Sequence, residues 1–333
     1  MAALVLLTAG SDRIDSNSAE LQKPTANPIL QHYVWNLQGG MKLEIWRKEF
    51  TLQSLSMQHD RYTDFFTSQW QKGDSVNFYY LLYRVAMALV FFVTLLLSVI
   101  DINNPEETAV NRAKWLIYLT HWGYAVCTIQ AFMSCYIVIY MYRKVRKRDE
   151  PITEVQISPK LCASYWVLFI IATDAAFAIT CIYWSLIFDV QQHPLDAMNI
   201  FVHGINSVLM MTDLFVVAHP VRLLHCYWPF SFAILYIAFN VIYYMAGGTD
   251  KHGQHYIYAI LDWQSPGRST LTAFLALMFL VFLHLLTYCM FLLRKRIYIK
   301  LYKSKNDKNS FNLSPDVKNH NISPNSNLCS DYL

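Results

Sequence analysis

"FVHGINSVLMMTDLFVVAHP", residues 201–220, decides how the whole chain is read. The stretch is long and oily enough for a membrane span, which needs about 20 mostly apolar residues. It also carries His203, Asn206, Ser207 and Asp213. At helical spacing these four fall within an arc of about 120°, and we place Val202, Val208, Met211 and Phe215 on the opposite face. Polar and ionisable groups are costly against lipid, so a helix with such a stripe turns it toward other helices. The stretch therefore reads as one member of an all-α, polytopic membrane helical bundle.

Five further stretches qualify as spans. With the first they run roughly over 79–100, 115–141, 162–188, 198–218, 229–246 and 270–293 of the 333-residue chain. Hydrocarbon offers no partner to a free backbone group, so a span is a helix or part of a closed barrel. Barrel strands are about half as long and alternate, whereas these runs are continuous. Composition agrees. Only 15% of residues are charged and 55% are hydrophobic, where a soluble domain carries about 25% charged. Pairs such as Tyr79–Tyr80, Tyr165–Trp166, Tyr183–Trp184 and Tyr243–Tyr244 fall near span ends, where aromatic rings prefer to sit.

Lys and Arg set the orientation. "RKVRKR" (143–148), Arg222 and "RKRIYIKLYKSK" (294–305) occupy alternate connections, while "DVQQHPLD" has neither Lys nor Arg. The positive-inside rule then puts both termini in the cytosol, in the plasma membrane or the endoplasmic reticulum. The expected organisation is a cytosolic N-terminal region (1–75), a six-span bundle (76–300) and a disordered cytosolic tail (301–333). Leu43, Trp46 and Phe50 share one helical face, so an interfacial helix is expected in the first region. "MAALVLLTAGSDR" lacks a basic n-region and is expected to remain uncleaved. The seven cysteines include no CxxC pair, and we expect neither a disulfide framework nor a zinc site. Expected partners are the bilayer, a lipid ligand or substrate and another membrane protein, and not nucleic acid.

The polar inventory inside the spans carries whatever chemistry there is. Thr120, Cys127 and Ser134 recur every seven residues in the second span, with His121 and Thr128 on a neighbouring seam. Asp174, Cys181 and Ser185 share a face of the third, and His284 and Tyr288 are one turn apart in the sixth. Arg84 is near enough to the cytosolic end of the first to snorkel. Thr120, His121, Asp174, His203, Asn206, Asp213 and His284 are thus the members of an expected buried cluster, with Thr120, His203 and Asn206 toward the outer ends of their spans. One reading is interhelical hydrogen bonding. A second is hydrolysis, with Thr120 as nucleophile, His203 or His121 as base and Asn206 as oxyanion donor. Haem ligation would need histidines paired at matched depth, and His219 and His225 lie at the rim. No metal or cofactor is therefore expected. A proton relay through Asp174 and Asp213 lacks the Gly/Pro-broken paired spans of transporters.

Three stretches carry a resemblance. "YWVLFIIATDAAFAITCIYW" (165–184), "HGINSVLMMTDLFVVAHPVRLLH" (203–225) and "YYMAGGTDKHGQHYIYAILDWQSPG" (243–267) resemble the rolling stone family of multi-pass membrane proteins. The resemblance covers roughly residues 42–302, and it implies a role in cell–cell fusion, as in myoblasts, or in muscle development. "LIYLTHW" (116–122) and "HGIN" (203–206) are more distantly similar to the androgen-induced-protein group of intramembrane threonine hydrolases. That similarity places the nucleophile on Thr120. It also puts Asn206 where the group has its catalytic His, and an amide is no general base at neutral pH, so His203 or His121 would have to substitute.

Overall fold

A computed structural model describes residues 49–71, 75–100, 108–148, 157–188 and 195–312. Six helices in it are long and apolar enough to cross a membrane. We label them α1 (Phe78–Ile100), α2 (Leu119–Arg148), α3 (Pro159–Ile187), α4 (Ala197–Val216), α5 (Tyr227–Met245) and α6 (Pro266–Asn312). Among the described residues the only extended pairing is an isolated bridge between Ser68 and Val217. The protein is an integral membrane helical bundle. Residues 42–48, which carry most of the expected interfacial helix, lie outside the described residues. The last helix runs on to Asn312, into the segment that composition reads as tail.

Starts and stops follow local chemistry. Thr108 Oγ1 accepts from the Asn111 N–H, and Asp196 Oδ1 from the Asn199 N–H, capping the short helix before α2 and the start of α4. Pro159 opens α3 and Pro266 opens α6, where a missing N–H costs nothing. The entry to α2 is broken at Tyr118, whose backbone is extended. That break leaves carbonyls unpaired near the membrane rim, and side chains take them up. His121 Nδ1–H donates to Trp115 O (2.6 Å), Trp122 Nε1–H to Leu116 O (2.6 Å) and the Tyr236 hydroxyl to Ile117 O (2.9 Å).

α2 and α3 form the hub. Their apolar windows are 56% and 61% buried, against a third or less for the other four. α3 packs on α2, α4, α5 and α6, and α1 packs on α2. Gly123 lets α2 approach α3 closely, since an added Cβ would overlap Ile179 Cδ1. Outward faces such as Leu82, Leu89 and Leu96 of α1 and Leu271, Phe274 and Phe282 of α6 stay exposed. An apolar surface so extended is intolerable in water and ordinary in lipid.

Contacts at the two ends show that the helices alternate in direction. At one end Phe78 meets Tyr142, Trp70 meets Tyr298, and Arg294 reaches the end of α4. This end also carries Arg143, Lys144, Arg146 and Arg222, and we call it the basic end. At the far end Trp122 meets Phe239, and Lys114 Nζ donates to Asp250 O (2.6 Å) and Thr249 Oγ1 (3.0 Å).

Residues 49–71 plug the basic end. Phe65 and Phe66 are fully buried, Phe65 against Trp166, Tyr165 and the ring of His219. Arg222 donates to the carbonyls of Ser56 (2.5 Å) and Gln58 (2.9 Å), and Trp70 Nε1–H to Phe215 O (2.7 Å).

Candidate functional site

The stripe on α4 turns inward as its spacing requires. Asn206 and Asp213 are buried, while Val208 and Met211 on the other side are exposed. Val202 is a correction, because it is buried with the polar side. It precedes Asp213 by three turns plus about 20°, which puts it on the inward face.

Asp213 is the centre of one network. Arg84 Nη1 donates to its Oδ1 at 2.7 Å, the Tyr83 hydroxyl to the same oxygen at 3.1 Å, and Gln130 Nε2 to Oδ2 at 3.3 Å. Arg84 also donates from Nε to the Tyr80 hydroxyl (2.9 Å) and from Nη2 to the Tyr165 hydroxyl (3.4 Å). The expectation that Arg84 snorkels is therefore wrong. It is 1% exposed, because a buried carboxylate attracts the nearest cation more strongly than a distant headgroup does. His219 continues the network, with Nε2 3.2 Å from the Tyr165 hydroxyl. Burial first, then the charges of Arg294 and Arg84, hold His219 well below the ordinary imidazole pKa. Arg294, fully buried, caps the end of α4 by donating to Leu214 O (2.7 Å) and His219 O (2.8 Å).

Asp174 and His284 form a second network, joining α3 to α6. His284 Nδ1 lies 2.6 Å from Asp174 Oδ2, and the Thr287 hydroxyl donates to Asp174 Oδ1 at 2.7 Å. His284 Nε2 lies 3.1 Å from the Arg222 carbonyl. A carbonyl only accepts, so Nε2 carries a proton. One further proton is then shared between Nδ1 and the carboxylate. Cys181 and Ser185 lie on the same face of α3 as Asp174, yet they are exposed. α6 covers that face at the depth of His284 and Thr287 and leaves it open two turns further along.

Asn206 knits α4 to α3. Its Oδ1 accepts from the Thr180 hydroxyl (3.2 Å), and Ser207 Oγ donates to Ala176 O (2.7 Å). His203 stacks flat on Tyr183, with ring centroids 3.5 Å apart. Each of these two residues lies in a short π-helical turn, Phe201–Ile205 and Tyr183–Ile187. In this paired geometry the His203 carbonyl accepts from Trp184 Nε1–H (3.0 Å).

Thr120 lies elsewhere, on the wall of a cavity of about 120 Å³ bounded by α2, α3, α5, α6 and the Tyr258–Leu261 loop. Tyr183 shares that wall. The Thr120 hydroxyl is hydrogen-bonded to Tyr258, whose hydroxyl also accepts from the Leu119 N–H (3.0 Å). Burial raises the Tyr258 pKa, so it stays a neutral hydroxyl. His121 stacks on Trp115 as it holds that residue's carbonyl. The expected single cluster thus resolves into distinct sites: Arg84–Asp213, Asp174–His284, Thr180–Asn206–Ser207, and Thr120 at the cavity.

Nothing in the sequence marks Gln130 or Arg294 as part of the Asp213 network, and its reading puts Arg84 and Tyr165 at the membrane rim rather than beside Asp213. A signal existed for Arg84, a lone cation inside a span when Asp213 needed a counterion. Arg294 was hidden in the basic run that reads as a flank.

A family model described as "Protein rolling stone" matches residues 42–316. The chain belongs to the rolling stone family. It is 34% identical over 232 residues to the protein "Protein rolling stone" of Drosophila melanogaster, covering 68% of this chain and 82% of the relative. No solved structure matches. The match takes in all six spans and the plug of residues 49–71, so rolling stone membership extends across both buried networks and the cavity.

Proposed function

We propose that the protein acts in cell–cell fusion at the plasma membrane, with both termini in the cytosol and a membrane protein as partner. The rolling stone match over residues 42–316 carries this reading. The basic end, with Arg143, Lys144, Arg146 and Arg222, supports a cytosolic orientation for that face. The far end would then meet the apposed cell. There the loop of residues 247–265 is held by Lys114, by Tyr243 Oη–H donating to Thr249 O (2.9 Å) and by Trp263 Nε1–H donating to Asn240 Oδ1 (2.6 Å). A loop pinned in this way presents a fixed surface. Depleting the protein from cultured myoblasts of its source should lower the fraction of multinucleate cells. Re-expression should restore it, and re-expression with the loop replaced by a Gly/Ser linker should not. Fusion unchanged by depletion would overturn the proposal.

A second reading, lipid-ester hydrolysis, is favoured by one observation, namely that Thr120 lies on the wall of the apolar cavity. This reading requires Thr120 Oγ to attack the ester carbonyl and expel the alcohol, a base from outside the cavity wall, His203 or His121, to carry the proton from Thr120 to that alcohol, and water to release the acid from the acyl-threonine. A fluorophosphonate probe should label the wild type and not Thr120→Ala. A folded wild type that never labels excludes this reading and leaves the first untouched.

A further inference from the structure

The cavity has a direction. Along α5 its wall runs from Pro229 to Ile237, and along α6 from Leu280 back to Thr272. Each stretch is about 12 Å long at 1.5 Å rise per residue. These helices are antiparallel, so Pro229 and Leu280 mark one end, deep in the bundle, and Ile237 and Thr272 the other. The far end is roofed by Tyr258, Ile260 and Leu261. Alanines, among them Ala175, Ala233 and Ala276, leave the room. The deep end is purely aliphatic and aromatic, and hydroxyls gather at the roof, where Thr120 bonds to Tyr258. No Lys, Arg, His, Asp or Glu lines the cavity.

We infer that this cavity binds one hydrocarbon chain of a neutral single-chain lipid, entered tail first from the far leaflet, with its ester or hydroxyl head at Thr120 and Tyr258. The lining suits a chain, since it follows both α5 and α6 for about 12 Å. Apolar walls give water few partners, and a hydrocarbon chain packed against them gains dispersion contacts. The missing cation argues against a carboxylate or phosphate head, which would be buried without a partner. A glycerol or alcohol head needs only the hydroxyl partners present. The assignment shares its site with the hydrolase reading, but it does not require Thr120 to react.

The test is photocapture by the full-length protein in vesicles. The probe is a monoacylglycerol carrying a diazirine at mid-chain and a terminal alkyne, compared with the free fatty acid bearing the same chain. The monoacylglycerol should crosslink to peptides holding Ala175, Ala233 or Ala276. Filling the cavity by Ala233→Phe should reduce capture at least about tenfold, and Leu280→Ala, which enlarges the deep end, should preserve or raise it. If Ala233→Phe does not fold, Ala276→Phe serves the same purpose. Capture unchanged by filling, crosslinks confined to the lipid-facing sides of α1 and α6, or preference for the free acid would overturn the inference. Capture without fluorophosphonate labelling would retain the binding site and remove the hydrolase.

Discussion

Arg84 and Asp213 show what a single residue does in this protein. Each is buried, and each has its charge answered by the other at 2.7 Å. Removing one partner strands the other, which costs about 3–5 kcal/mol in a buried site. Asp213→Ala and Arg84→Ala should each destabilise by that order, and Arg84→Met with Asp213→Leu should be far less harmful than the sum. Unfolding in detergent followed by circular dichroism measures the cycle, and additive losses would mean that the pair is not coupled. His219 supplies a second residue-scale prediction. Its pKa is lowered by burial from an unfolded value of 6.5. The unfolded chain therefore binds more protons below that value. Stability is fully present above pH 6.5 and is lost as pH falls toward the folded pKa, by up to about 1.4 kcal/mol per unit. Melting temperatures from pH 7.5 down to 5.5 should show this slope, and His219→Gln, which keeps a partner for Tyr165, should flatten it.

At the scale of the element, the crossing of α2 over α3 depends on Gly123. An alanine there overlaps Ile179 Cδ1, and overpacking of this kind costs about 1–3 kcal/mol. Alanine favours a helix over glycine by about 1 kcal/mol, so the net loss is small and its rescue is the sharper measurement. Ile179→Val removes the offending methyl, and Gly123→Ala should be more stable in that background than alone. Equal effects in both backgrounds would remove the packing argument. The helices were legible in the sequence for a simple reason. Lipid allows no unpaired backbone, so length and composition leave only one conformation for each run. Faces were legible wherever the helix is regular, as with Thr120, Cys127 and Ser134, all buried against the hub. They failed at Val202, through miscounted phase, and at Cys181 and Ser185, because periodicity gives a direction but not how far a neighbouring helix extends.

At the scale of the whole molecule, two polar networks fasten helices at different places: Arg84–Asp213 joins α1 to α4, and Asp174–His284 joins α3 to α6. Both lie closer to the basic end, beneath the plug of residues 49–71, while the cavity occupies the far half. Asp174 and His284 were both legible as buried polar residues, and so was Asp213, but the pairs were not, since pairing depends on which helices are neighbours and no span declares its neighbours. The plug was illegible for a related reason. Phe65 and Phe66 have no period, and their burial arises only because the bundle end is there to receive them. Six helices alternate across the bilayer, which puts the plug on one side and the loop of residues 247–265 on the other. Cysteine labelling reads this sidedness. Ser56→Cys and Lys251→Cys, each introduced into a chain whose native cysteines are replaced by serine or alanine, are exposed to a membrane-impermeant maleimide in sealed vesicles of known sidedness. The two positions should label from opposite faces. Labelling of both from the same face would contradict the alternation.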